Sequence, residues 1–228
     1  MTSHAPGAVL LDIDGTLVDS NFLHVHAWAR AFADVGRPAD AWRVHRCIGM
    51  GSDLLVAEIL GDEDAETLGD DVRERHSAYY AELAPLLRPF DGARDLVRAI
   101  ADRGAAAVLA TSAAPDELEK LRATLDLDDV VAGITSDQDV DEAKPEPDLV
   151  QAALDAAGVP AERAVMVGDS VWDVQAAARA GVACVGLLSG GTSRAELRSA
   201  GAVEVYDDVA DLLAHLDESP LTTTWTTD

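Results

Sequence analysis

At 228 residues and 23.9 kDa the chain has room for one large α/β domain, or for a core carrying a smaller insertion. Hydrophobic residues make up 48% and charged residues 26%, with no apolar run near the roughly 20 residues a membrane helix needs, which excludes a disordered or membrane-integrated protein. Seventeen Lys and Arg against 42 Asp and Glu leave a net charge of −25, which repels phosphate backbones and anionic lipid and excludes nucleic acid and membrane surfaces as partners.

Short apolar, β-branched runs alternate with helical patterns along the chain. Strands are expected at Ala8 to Ile13, Ala105 to Ala110, Val130 to Ile134, Ala164 to Val167, Val182 to Leu187 and Val203 to Val205. Between them lie helical stretches at Gly92 to Arg103, Pro115 to Leu125, Pro147 to Ala157 and Val171 to Ala180, several closed by glycine. That alternation predicts an α/β fold, a parallel sheet flanked by helices. The first two strands are separated by far more chain than a crossover needs, and the intervening segment reads as helices at Asn21 to Val35, Ala39 to Arg46, Ser52 to Leu60 and Asp62 to Ala84. The expected organisation is a core of residues 1–19 and 88–218, a helical insertion at 20–87, and a tail at 219–228 too poor in apolar surface to fold alone, hence mobile. Met1 to Gly7 lacks the basic start and apolar stretch of a secretory signal, and Cys47 and Cys184 are too few for a disulfide framework. A cytoplasmic protein is expected; monomer and homodimer are both compatible with the sequence.

Four strand ends carry chemistry. The first runs into Asp12-Ile13-Asp14-Gly15-Thr16, where alternation aims Asp12 and Asp14 the same way as the chain turns. Such a pair suits a hard cation, and equally an Asp-Gly turn. The second ends in Thr111 and Ser112, either phosphate-binding hydroxyls at a helix start or a plain cap. Lys144, one of two lysines, is held ahead of a helix by Pro145 and Pro147. The last strand ends in Gly168-Asp169-Ser170, with Asp173 one turn on. Each signal alone has an ordinary structural explanation, but the four in order at sheet edges converge on one crevice.

These four motifs together resemble the haloacid dehalogenase superfamily over Ala8 to Leu216, in the phosphoglycolate phosphatase and β-phosphoglucomutase-like branch. The resemblance implies a Rossmann-like core with an inserted helical cap, acting as a Mg2+-dependent phosphatase on a small phosphorylated metabolite. It implies Asp12 as the nucleophile that becomes an aspartyl-phosphate, and Asp14 as acid and then base. Mg2+ would be held by Asp12, the backbone carbonyl of Asp14, and Asp169. Lys144 and Thr111 would balance phosphate charge, with Ser112 adding a contact and Asp173 supporting through metal-bound water or by orienting Lys144. The second acid, Asp14, disfavours dehalogenation.

In the insertion, His24 and Trp28 share one face of the first helix, a spacing similar to that of sugar-phosphate phosphatases and mutases and also that of an ordinary packed helix. The Gly49-Met50-Gly51-Ser52 turn would let backbone approach a ligand. Where β-phosphoglucomutases place an arginine for a second phosphate, this chain has Ser52 followed by Asp53, which favours hydrolysis over the alternative, a phosphohexomutase; Arg46 is a second candidate for that clamp.

Overall fold

Period-two alternation sorts the strand residues between two helical layers. In a computed structural model, which describes residues 7–140 and 142–225, β1 (Ala8–Leu11) sends Val9 and Leu11 to one face and Ala8 and Leu10 to the other, all fully buried. The same alternation holds in β2 (Ala106–Ala110) and β4 (Ala164–Gly168), whose even and odd positions join different clusters. With β3 (Gly133–Thr135), β5 (Ala183–Leu187) and β6 (Glu204–Tyr206) these form a six-stranded, wholly parallel sheet in the order β3-β2-β1-β4-β5-β6. Strands buried on both faces are what a sheet covered by crossover helices requires. Each Leu or Val so buried stabilises the fold by about 1.5–3 kcal/mol.

Helices α5 (Ala93–Asp102), α6 (Pro115–Leu125) and α10 (Val209–Ala214) pack on one face; α7 (Asp148–Ala157), α8 (Val171–Arg179) and α9 (Arg194–Ala200) pack on the other. Between β1 and β2 run α1 (Asn21–Asp34), α2 (Ala41–Cys47), α3 (Ser52–Leu60) and α4 (Asp62–Leu83). They close their own apolar cluster around Trp28, Phe32, Val56 and Val72. This is the doubly wound α/β architecture expected, and among the described residues no helix is long and apolar enough to cross a membrane.

The third strand is displaced from its expected place. Val130 and Val131 are apolar because they pack sideways on the core, and their N–H groups turn back to the Leu127 carbonyl at 2.9 and 3.1 Å, so pairing begins only at Gly133. The tail also departs from expectation. Ser219 caps a short 3-10 helix, Pro220–Thr224, that buries Leu221 completely against the sheet. The Thr224 carbonyl accepts from Gly7 N–H at 2.9 Å, an approach so close that a Cβ at Gly7 would lie 2.8 Å from Thr224 Cα. One well-placed leucine and backbone pairing to the start of β1 order a segment that composition alone marks as mobile; Thr226 to Asp228, like Met1 to Pro6 at the other end, lie outside the described residues.

Candidate active site

The strand register assembles the crevice. Leu11 pairs with Leu109 on one side and Val167 on the other, so the residues just past each strand's end, Asp12, Thr111 and Asp169, emerge at one edge where the strand order reverses. Asp12 N–H still bonds to the Val167 carbonyl at 3.0 Å; beyond it the Ile13 carbonyl collects three N–H groups from the turn that carries Asp14.

Lys144 is fully buried behind this edge. Its Nζ lies 2.6 Å from Asp12 Oδ1 and 2.7 Å from Asp173 Oδ1. Burial would lower the ammonium's pKa, but the two carboxylates outweigh burial and raise it. Asp173 also closes the α8 capping box, its Oδ2 accepting from Ser170 N–H at 3.1 Å and Oγ at 2.6 Å. Asp173 therefore completes the Ser170 cap with one oxygen and touches the lysine with the other.

Asp169 Oδ1 accepts from Thr16 Oγ1 at 3.0 Å and Oδ2 from Asn21 Nδ2 at 2.8 Å. Burial, with Asp173 and Asp12 nearby, still pushes its pKa well up. Asp12 is pushed up to about 7 by burial, which exceeds the opposing pull of Lys144, with Asp173 and Asp14 adding repulsion. The Asp12, Asp169 and Asp173 oxygens lie within 4.8 Å of one another. Three buried carboxylates thus crowd together with one ammonium, which is paired to Asp12 and Asp173, and an all-oxygen cluster with surplus negative charge fits a hard divalent cation such as Mg2+.

Asp14, two residues from Asp12, meets opposite conditions. Burial raises its pKa, but His24 and Ser20 outweigh that and leave it below its ordinary value. Ser20 Oγ donates to Asp14 Oδ1 at 2.6 Å instead of capping α1, and His24 Nε2 lies 3.3 Å from the same oxygen. Thr111 Oγ1 reaches Asp14 Oδ2 at 3.5 Å and accepts from Ala113 N–H at 3.1 Å. Ser112 Oγ is buried without a hydrogen-bond partner and lines the cleft, a free hydroxyl for a ligand.

The cleft lies between the sheet edge and the helices above it, and Asp12, Asp14, Thr111, Ser112 and Asp169 line it. So do His24, Trp28, Gly49 and Ser52, whereas Lys144 and Asp173 stand behind its wall. Gly49 needs its positive φ of 96° and its missing side chain, since a Cβ would meet Ser170 Oγ at 2.7 Å. Arg46 is not a clamp: it pairs with Glu196 at 2.5 Å, away from the cleft.

Sequence reasoning missed Ser20, Asn21, His76, Glu117 and above all Arg73. Among the described residues lining the cleft, Arg73 is the one Lys or Arg, and its partners Asp53 (2.8 Å) and Asp70 (2.5 Å) are exposed. No local signal marks it: the packing of α4 buries Gly69, Val72, His76 and Tyr80, and Arg73 stands beside that face at helical spacing.

Carboxylates and hydroxyls gathered at the switch point of a parallel sheet define an α/β enzyme of the doubly wound class. The model of the haloacid dehalogenase-like hydrolase family matches residues 6–181, and the chain belongs to that family. It is 36% identical over 217 residues to a phosphoglycolate phosphatase of Rhodospirillum rubrum, covering 91% of this chain and 89% of the relative. A crystal structure of a hydrolase from Pseudomonas syringae superposes with a TM-score of 0.86 at 37% identity, over 93% of this chain and 98% of that one. CbbY from Rhodobacter sphaeroides in complex with phosphate superposes at 0.76 with 28% identity, over 93% and 99%.

Proposed function

We propose that the protein is a Mg2+-dependent phosphatase that hydrolyses a small-metabolite phosphomonoester through an aspartyl-phosphate on Asp12. The observation that carries this reading is the contrast between two acids two residues apart, Asp12 against the Lys144 ammonium at 2.6 Å and Asp14 held by Ser20 and His24. A carboxylate kept beside a fixed cation is a nucleophile that needs no base. Asp14, ionised at rest beside the His24 imidazole, relays a proton from that ring to the leaving oxygen and then takes one from the attacking water. Lys144 offsets the charge that builds on the phosphoryl group, with Thr111 and Ser112 as hydroxyl donors to its oxygens. Asp173 fixes the lysine.

Asp12, Asp169 and the Asp14 carbonyl would hold Mg2+, which when bound supplies positive charge against the phosphate oxygens and restores the ionised form of Asp12. The helices α1–α4 act as a cap over residues 1–19 and 88–218, and closing it removes water from the reacting groups. Arg73, which lines the cleft and whose partners Asp53 and Asp70 are exposed, favours substrates bearing a second anionic group such as a carboxylate. Both cysteines are free and buried, which suits a reducing cytoplasm.

The test is phosphate release from a panel including phosphoglycolate and both glucose 1-phosphate anomers, with and without Mg2+, beside Asp12→Asn. Mg2+-dependent release that the variant loses supports the reading. Conversion of β-glucose 1-phosphate to glucose 6-phosphate without net release would replace it with a phosphohexomutase.

A further inference from the structure

Deep in the cleft, where α1 and α4 of the insertion meet α6 of the sheet layer, His24, His76 and Glu117 come together, and the hydrolytic reading leaves His76 and Glu117 without a task. All three are more than nine-tenths buried, at 7%, 5% and 7% exposure. One ligand atom from each lies within 4.8 Å of the other two. We propose that these residues form a second metal site, distinct from the carboxylate cluster and selective for a borderline transition cation such as Zn2+.

The donor set and its surroundings carry the inference. Two imidazoles and a carboxylate are a protein ligand set that zinc uses when it keeps a fourth position open, and nitrogen donors favour it over Mg2+. His24 Nδ1 and His76 Nε2 are 3.1 Å apart. Two nitrogens bound to one zinc at about 2.0–2.1 Å and near-tetrahedral angles lie roughly 3.3 Å apart, so the pair is close to a ligating separation. Glu117 Oε1 stands 3.6 Å from His76 Nδ1, too far for a hydrogen bond, and a carboxylate oxygen of Glu117 is the third ligand atom of the group. The other nitrogen of His24 faces Asp14 Oδ1 at 3.3 Å, the carboxylate–imidazole arrangement that orients metal-ligating histidines. Stacking fixes both rings: Tyr80 lies 3.9 Å from His24 and Trp28 3.8 Å from His76, centroid to centroid. An ion here ties α1 and α4 to α6, so it pins the insertion onto the sheet and slows any step that needs the cleft to open.

Zn2+ binding to the metal-stripped full chain, titrated against a chromophoric chelator with Mg2+ in excess and no substrate present, tests this independently of catalysis. Wild type and Asp169→Asn are expected to take up one tight equivalent; Glu117→Gln and His76→Asn should weaken it by about tenfold or more. Co2+ substituted into wild type should show the intense visible bands of a low-coordinate nitrogen–oxygen site, lost in the same two variants. Should His76→Asn fail to fold, the nearly isosteric Glu117→Gln decides alone. Equal Zn2+ affinity in wild type and Glu117→Gln, or no tight equivalent in wild type, overturns the proposal and leaves a hydrogen-bonded histidine pair.

Discussion

On the floor of the cleft Asp12, Thr111 and Asp169 each follow directly on the end of a strand, whereas on its roof His24, Arg73 and His76 come from within helices and are brought together only by packing. The floor gathers carboxylates around one ammonium, and the register of β1 with β2 and β4 places them. The roof carries imidazoles and a guanidinium whose positions depend on how α1, α3 and α4 bury their apolar faces. Topology therefore places the strand-end carboxylates and hydroxyls, and side-chain packing determines what faces them across the cleft.

The floor should be the more fragile wall. Lys144→Met leaves Asp12 and Asp173 buried without their cation, and breaking a buried pair costs about 3–5 kcal/mol. For a chain of this size that is a fall in Tm of roughly 10 °C, read by thermal denaturation without Mg2+. A loss under 1 °C would show that the floor does not depend on the ammonium. Leu221→Ala, beneath the opposite ends of the strands, should cost about 2–5 kcal/mol in a denaturant titration, because the tail's packing rests on that side chain.

Mg2+ should sharpen the contrast through pH. Asp12 and Asp169 have folded pKa values above their ordinary ones, so their cost to the folded state is absent below about pH 4, grows as pH rises, and for Asp12 is complete above about 7. The Tm gain from Mg2+ should accordingly be larger at pH 8 than at pH 5, where the ion must displace protons. An equal gain at both would place the ion elsewhere.

Roof substitutions should instead change selectivity. Arg73→Gln is expected to lower kcat/KM for phosphoglycolate by about 10- to 100-fold while leaving a neutral alkyl phosphate within a factor of two, consistent with about 1.5–3 kcal/mol for a charged hydrogen bond. Equal losses on both substrates would deny it a role in recognition. Asp53→Asn should move stability by less than about 0.5 kcal/mol, since that partner of Arg73 is 85% exposed.

The same division separates what was legible in the sequence from what was not. Asp12, Asp14, Thr111, Lys144 and Asp169 stand out because strand ends are recognisable from local apolar runs, and the parallel order then brings them to one edge. Val130 and Val131 misled because a buried turn and a buried strand are equally apolar over so short a run. Arg73 and His76 lie within a long, charged helix, and only the packing of α1 on α4 shows which of its polar residues face inward. Ser20 looks like an ordinary helix cap, and its diversion to Asp14 depends on a turn whose shape local sequence does not define.

The sequence contains just two lysines, and one of them, Lys144, is sealed behind Asp12 with no exposed surface. An amine-directed label can therefore mark Lys120 at once but must wait for the molecule to open before it marks Lys144. The ratio of the two adducts, followed by mass spectrometry over time, becomes a clock for that opening, and the chain needs no engineered probe to run it.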